Sequence, residues 1–405
     1  MAQASPPVLA RSMRSLVIAP QPFFTARGTP FSVYYRTLVM TELGVQVDLL
    51  CYGEGADIDV PNVRIVRIPR FRFLGPIRIG PSPQKAFLDI FMLLWTIGLL
   101  LRHRYDYVHA HEESVFWCRF LKPIFRFPLA YDMHSSLPQQ LTNFGFTRNR
   151  LVIGTFAWLE RTALKASEAV ITICPDLRDY ALEAGVESER LFLIENSIFD
   201  DVRLPRDARK AGAEAPEPAD IPPASGPRVV YAGTFEAYQG LDILVRAFAR
   251  VLQRQPDAQL LMVGGRPDQI EALKGLARDA GAGERCVFTG RVNKSTAMRL
   301  LESADVLVSP RSEGTNTPLK VYEQLASGKP LVATNIWSHT QVLSEDVCFL
   351  VEPEPESMAL GLVRVITNPD TAQQRAQAAR RLYETNYSRP VYEQKMRDFL
   401  TLLGR

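Results

Sequence analysis

The chain has 405 residues, 46% hydrophobic and 22% charged, with a net charge of +3. Those proportions describe a globular chain with a full core and about two domains at ~150 residues each, and so small a net charge gives no electrostatic footprint for nucleic acid. Five widely spaced cysteines form no CxxC pair, which argues against a zinc site or disulfide framework and for a reducing compartment.

The opening MAQASPPVLARSMRS has no apolar core of a secretory signal. SLVIAP (15–20) then predicts the first strand. It is followed by RGTP (27–30) and the helical stretch PFSVYYRTLVMTELG (30–44). Gly28 there serves either a close backbone approach to a phosphate or acceptor, or a tight turn before a helix that Pro30 opens. Strands are expected at VQVDLLC (45–51), VRIVRIP (63–69), YVHAH (107–111), PLAYDM (128–133), AVITIC (169–174) and RLFLIEN (190–196), with a helix at 150–167. Most are apolar throughout, the pattern of a parallel sheet covered on both faces. DID at Asp57–Asp59 lies in a glycine-containing loop after the second strand and reads as solvated loop.

From just before the third strand, Val60 to Lys85 holds Arg64, Arg67, Arg70, Arg72, Arg78 and Lys85 and no acid, interleaved with Phe71, Phe73, Leu74 and Ile77. The apolar run Ala86–Leu101 follows, 16 residues with Asp89 inside it and Arg102 and Arg104 after it. It is short of the ~20 residues a span needs. It is either a buried helix or an interfacial one, the latter because basic and aromatic residues beside an apolar helix suit an anionic membrane surface.

Residues 204–227 are rich in Pro, Ala and charge and read as a linker or loose insertion. The alternation then restarts with RVVYAG (228–233), AQLLMVGG (258–265), CVFTG (286–290), DVLVSP (305–310), PLVAT (330–334) and FLVEP (349–353), with helices at 241–255 and 296–304. Two β/α series imply an α/β fold of two doubly wound, Rossmann-like domains, 1–203 and 228–380, with 381–405 packing back on the first. Ligands of such sheets bind beyond the carboxyl ends of the strands, here in a cleft between two facing domains.

SEGTNTPLKVYEQLASGKPLVAT (312–334) places a helix start directly after the strand DVLVSP. Thr317 is expected to cap the helix, Pro318 to occupy its first position and Gly328 to stop it. The free amides near Pro318 and Leu319, with Lys320 in the first turn, form a docking point for phosphate. Glu323 shares a face with Lys320. A carboxylate there suits vicinal ribose hydroxyls; the other reading is a Lys–Glu surface pair. Of the five histidines, His109, His111 and His134 crowd into strand ends, and His111 and Glu112 are candidates to touch an acceptor.

The ordered series YAGTFEAYQGLDILVRAFA, LLMVGG, VFTGRV, ADVLVSP and TPLKVYEQLASGKPLVAT closely resembles the C-terminal half of family 4 glycosyltransferases of GT-B fold. RGTPFSVYYRTLVMTELGVQVDLL, YVHAH and LAYDMHSSL agree more loosely with the N-terminal half. The resemblance implies a retaining transferase that takes a sugar from a nucleotide-diphosphate donor held by the second domain and gives it to an acceptor held by the first. It makes Glu323 the second, ribose-binding glutamate of the family's E-x7-E motif and His134 the active-site histidine. Catalytic candidates are therefore His134, Lys320 and Glu313. Gly28, Gly233, Thr234, Gly264, Arg291, Thr315, Asn316, Thr317, Pro318, Leu319 and Glu323 are candidates for the donor, and Arg27, His111 and Glu112 for the acceptor side.

Two departures stand out. The first glutamate of the motif falls on Thr315, so either Glu313 takes its role or Thr315, Asn316 and backbone amides do. Thr234 and Gln239 stand where many members carry a phosphate-binding Arg and Lys, so Lys320 and Arg27 are expected to replace them. The resemblance implies a nucleotide-sugar donor and no metal or other cofactor. The basic and apolar stretch 60–104 adds peripheral contact with an anionic membrane and with it a lipid-linked or saccharide acceptor, and the cysteines and N-terminus a cytoplasmic location. A nucleotide-sugar epimerase or phosphorylase of the same architecture, or a non-catalytic nucleotide-sugar-binding subunit, are the rivals.

Overall fold

The computed structural model describes residues 12–24, 28–56, 58–75, 77, 82–138, 149–196 and 221–404. Arg27, Asp57 and the stretch 204–220 lie outside them. The chain divides into two compact units. The first holds Met1–Asn196, Asp200–Ala211 and Arg389–Arg405, and the second Ser197–Phe199 and Gly212–Ser388. The expected boundary at 380 thus shifts to 388, and the segment returned to the first unit is Arg389–Arg405.

The first unit is built on seven parallel strands: β1 (Met13–Ala19), β2 (Val45–Cys51), β3 (Val63–Arg67), β4 (Tyr107–His111), β5 (Leu129–Met133), β6 (Ala169–Thr172) and β7 (Leu191–Leu193). Their order is β3-β2-β1-β4-β5-β6-β7, so the chain reverses direction between β1 and β4. β4 and β5 are buried at every residue, as strands covered on both faces must be. The helix Pro83–Arg102 extends the expected apolar run at both ends and starts with Ser82 capping Lys85 N at 3.3 Å. It buries a single stripe, Leu88, Met92, Thr96 and Leu99. Leu88, Met92 and Leu99 share one core with Leu16, Val108, Tyr131 and the inner sides of the helices Ser114–Phe125 and Arg150–Ala166. By length and composition this helix is apolar enough to cross a membrane. The helix Arg389–Leu403 packs through Phe399 on Tyr107, His109 and Phe192.

The second unit has six parallel strands: β8 (Arg228–Ala232), β9 (Gln259–Val263), β10 (Cys286–Gly290), β11 (Val306–Ser309), β12 (Leu331–Thr334) and β13 (Phe349–Val351). Their order is β10-β9-β8-β11-β12-β13. This is a Rossmann order, and its switch point falls between β8 and β11. The helix Leu241–Leu252 buries Leu244, Val245, Phe248 and Val251 on it, and Pro355–Thr367 buries Met358, Leu362 and Val365.

At the carboxyl ends of β8, β9 and β10 the backbones meet without side chains between them. Gly264 N bonds Gly290 O at 2.9 Å, and a Cβ on Gly264 would lie 2.0 Å from Gly233 O. Gly264 also has φ +122°, which L side chains rarely adopt. Gly264→Ala should lower stability by roughly 1–3 kcal/mol from backbone strain alone, read as a fall in the denaturation midpoint with an unchanged m-value.

Candidate active site

At the carboxyl edge of the first unit's sheet, β4 ends in His109, Ala110 and His111 and β5 in Asp132 and Met133, with His134 just beyond. Asp132 is fully buried and organises this edge. Arg36 of the helix Gly28–Glu42 donates to its Oδ2, and His109 Nε2 lies 3.1 Å from the same oxygen. Arg36 is tied on its other sides to Ile194 O at 3.0 Å and Tyr392 Oη at 3.3 Å. Burial alone would protonate Asp132, but Arg36, His134 and His111 outweigh it and hold the carboxyl well below its ordinary range.

His111 Nδ1 and His134 Nε2 are 3.0 Å apart and 3.3 Å from the two Asp132 oxygens. Burial keeps both imidazoles neutral. His134 falls to about 4, despite Asp132 and with help from Arg36, and His111 lies well below its usual value. Two neutral rings at that separation share one N–H. His109, His111 and Asp132 are spaced closely enough to hold a metal ion, but the guanidinium already neutralises the carboxylate they would share. His134 sits at the strand end as expected, yet is only 4% exposed.

Glu112 follows β4 in a left-handed conformation, φ +52°, with its N–H on Asp132 O at 3.2 Å. Burial of its carboxyl, reinforced by Glu113, raises it to about 7. Nearby, Lys85 pairs with Glu113 at 2.7 Å and Asp89 accepts from Tyr52 Oη at 2.7 Å. Burial and Glu113 raise Asp89 to about 7 as well. Gly28 is the first residue of its helix and Pro30 the third.

In the second unit the donor-side candidates all lie past strand ends. Gly233 and Thr234 follow β8, Gly264 follows β9, exposed Arg291 follows β10, and residues 310–318 follow β11. The turn Ala237–Gly240 brings the first and last of these together. Ser312 N bonds Tyr238 O at 3.0 Å, and a Cβ on Gly240 would lie 2.1 Å from Pro310 O.

Lys320 Nζ bonds Gln239 Oε1 at 2.8 Å and stands 4.4 Å above the Tyr231 ring. Its ammonium therefore occupies the neighbourhood of the position where the resemblance places a lysine. The alternative Lys320–Glu323 pair does not form: among the described residues, Lys320 has no carboxylate within ion-pair distance. The sequence reading missed Arg311. It stacks on Tyr238 at 5.2 Å and donates through Nε to Glu313 O. Burial lowers the Arg311 guanidinium, and burial together with Arg311 pulls the Lys320 ammonium down to about 7.

Behind them His339 fixes the loop. Its Nδ1 lies 2.9 Å from Thr334 O and its Nε2 2.9 Å from Ser309 Oγ, while Thr334 Oγ1 donates to Arg311 O. Arg311 was legible only as a residue just past a strand; its partner Tyr238 is 73 positions away.

The helix start differs from expectation. The helix is Leu319–Ser327, its cap position is Pro318, and no side chain caps it. Thr317 Oγ1 is buried without a hydrogen-bond partner, so proline takes the extended cap geometry and displaces the hydroxyl by one residue. Gly328 ends the helix at φ +65° as expected. Glu313 and Thr315 are both exposed, and Gln341 Nε2 holds the Thr315 carbonyl. Asn316 and Glu323 are partly exposed.

Of the six basic residues between Val60 and Lys85, three are committed internally. Arg64 holds Asp48 at 2.8 and 2.7 Å, Arg67 holds Glu54 O and Ala56 O, and Lys85 holds Glu113. Arg70 and Arg72 stay exposed, and Arg78 lies outside the described residues. The stretch is therefore less available to a membrane than its composition suggests.

Two parallel sheets in Rossmann-like order, each with its chemistry past the carboxyl ends, define the GT-B class of glycosyltransferases. The model of the "Glycosyl transferase 4-like domain" matches residues 36–197 and that of "Glycosyl transferases group 1" residues 226–368. The phosphatidyl-myo-inositol mannosyltransferase of Mycobacterium leprae is 30% identical over 91% of both chains, and that of Mycobacterium tuberculosis 26% identical over 97% of this chain and 98% of its own. Among solved structures, a sucrose-phosphate synthase from Thermosynechococcus elongatus superposes with a TM-score of 0.70 at 20% identity, covering 96% of this chain and 99% of its own. Anabaena HepE in complex with UDP gives 0.69 at 15%, covering 96% and 100%. The chain belongs to the family 4, group 1 glycosyltransferases and is an enzyme of glycosyl transfer.

Two outcomes follow. Arg36→Met leaves Asp132 charged and buried without its partner; it should cost about 3–5 kcal/mol in chemical denaturation. For Lys320 the unfolded chain keeps the proton up to its ordinary 10.5, while the folded state releases it near 7. Stability should therefore rise with pH between 7 and 10.5 and be lowest below 7. Lys320→Met should flatten that rise in melting curves taken across the range.

Proposed function

We propose that the protein is a retaining transferase that moves a sugar from a nucleotide-diphosphate donor, held by the second unit, to a lipid-linked or saccharide acceptor, held by the first. It would serve cell-envelope or exopolysaccharide synthesis. The observation that carries this reading is the pair Arg311–Lys320: two half-buried cations at the switch-point edge of a Rossmann-ordered sheet, with no carboxylate in an ion pair with either among the described residues. A diphosphate supplies the missing charge. The uncapped first turn at Leu319 adds amides and the helix dipole.

When the anomeric bond breaks, negative charge grows on the departing phosphate. Arg311 and Lys320 are positioned in advance to receive it, and the reading assigns this role to them rather than to a metal ion. The acceptor hydroxyl attacks from the face the diphosphate leaves, and a phosphate oxygen takes its proton. Glu323 accepts from the ribose hydroxyls, and Thr315, Asn316 or Glu313 from the donor sugar. His134 contacts the sugar, its neutral ring held by Asp132 and His111. Arg311 thus takes the part expected of Arg27.

The names of the mannosyltransferase relatives, which specify a phosphatidylinositol acceptor, favour a lipid-borne acceptor, as do the apolar outer side of Pro83–Arg102 and exposed Phe73. Peripheral contact with an anionic membrane belongs to the same reading. The rival, a nucleotide-sugar-binding subunit without catalysis, draws on Thr315 in place of the motif's first glutamate.

Nucleoside diphosphate should be released from the cognate donor only when acceptor is present. Lys320→Ala and Arg311→Ala should each lower kcat roughly 10²-fold or more, the scale for one lost electrostatic donor. Full turnover in both variants would remove the proposed mechanism. Tight donor binding with no release under any acceptor would favour the binding subunit.

A further inference from the structure

Among the described residues, thirteen large hydrophobic side chains stand exposed, and nine of them fall between Phe73 and Trp158. Eight of the nine lie on three helices. Ile90, Leu94 and Leu101 are on Pro83–Arg102, Phe120 and Ile124 on Ser114–Phe125, and Leu151, Val152 and Trp158 on Arg150–Ala166. Spacings of four and seven put Ile90, Leu94 and Leu101, Phe120 and Ile124, and Leu151 and Trp158 each on one side of their helix, opposite the stripe that faces the core, with Val152 on the flank beside Leu151. The three helices pack side by side, the middle one touching both others. They form one layer over one face of the first unit's sheet, with an apolar outer side.

The same layer is positive. Arg102, Arg104, Arg119, Arg126, Arg150, Arg161 and Lys165 have no carboxylate within ion-pair distance among the described residues. The acids of these segments are spent internally: Asp89 on Tyr52, Glu113 on Lys85, Glu160 on Ser136 and Tyr180, Glu168 on Lys122. Between the second and third helices lies an open pocket of about 660 Å³, lined by Arg119, Phe120, Lys122, Arg126, Phe127 and Glu168. Arg119 stacks on Phe120 at 4.7 Å and Trp158 at 5.3 Å, and its Nη1 is buried without a hydrogen-bond partner. The pocket sits at the amino ends of β5 and β6, the opposite edge from His111 and His134.

We infer that this helical layer docks on an anionic bilayer and that the Arg119–Arg126 pocket takes a lipid phosphate. The inference names the surface for the membrane contact proposed above and rests on that reading. A second copy of the chain would set seven like charges against seven, whereas anionic headgroups complement them and the acyl boundary takes the apolar side chains. Phosphate bound from solution would leave those side chains in water.

The test is co-sedimentation of the full chain with vesicles of phosphatidylcholine alone or with phosphatidylglycerol at about one third. The protein should pellet with the anionic vesicles at low salt and stay in solution with the neutral ones. Arg119→Glu with Arg126→Glu, and separately Phe120→Ser with Trp158→Ser, should each lower partitioning roughly tenfold or more. Circular dichroism and thermal shift with nucleotide should remain unchanged, since neither pair touches the donor side. No binding of the parent protein to anionic vesicles would overturn the membrane reading itself. Binding that survives both double variants but is lost in Arg70→Ala with Arg72→Ala would overturn only the surface assigned here. So would a dimer in light scattering that the same two variants dissolve.

Discussion

An ammonium half-buried beside a guanidinium, with no carboxylate paired to either among the described residues, is costly without a ligand, because neither burial nor a like charge favours it. Lys320 and Arg311 are kept in that state by ordinary packing: an aromatic ring under each, a glutamine amide on one and a backbone carbonyl on the other. The loop that carries Arg311 is pinned from behind by Thr334 and His339. Electrostatics that would help a departing diphosphate is therefore built before a ligand arrives, which makes a preorganised site effective. In the proposed mechanism these two groups stand in for the usual Arg and Lys after the first C-terminal strand, with the charge supplied from the other side of the switch point.

The first unit solves a different problem with the same kind of device. At its carboxyl edge three imidazoles are gathered around Asp132, which is buried and bound through Oδ2 to Arg36 and His109. Arg36 reaches it from the first helix, and Tyr392 from the returning C-terminal helix reaches Arg36. Removing one member of such a buried network leaves an uncompensated charge, so the returning helix Arg389–Leu403 is tied through Tyr392 to the integrity of this edge. Glu112, in left-handed backbone next to this network, is held where a carboxyl stays half-protonated at neutral pH.

Much of the fold was legible because parallel strands buried on both faces leave an unmistakable mark. All thirteen expected strands are present, most within one or two residues of their predicted limits. The helix after DVLVSP and its glycine stop were legible too. Its cap was not, because Thr-Pro reads equally as a hydroxyl cap before proline or as a proline in cap position, and only the extended backbone at Pro318 decides. The basic stretch 60–85 misled for a related reason: composition counts charges but not their partners, and Asp48, Glu113 and several backbone carbonyls had claimed half of them.

What the sequence determined by itself is periodicity and order: which segments are strands, that they come in two series, and that a lysine and a glutamate follow the fourth strand of the second. These are local or sequential properties, carried by residues a few positions apart. What only the tertiary structure decided is company. Arg311 with Tyr238, Lys320 with Gln239, Asp132 with Arg36 and Tyr392, and the three outer helices with one another are separated by tens to hundreds of residues. Charge, burial and protonation depend on neighbours in space, so they were settled only when the sheets brought those residues together.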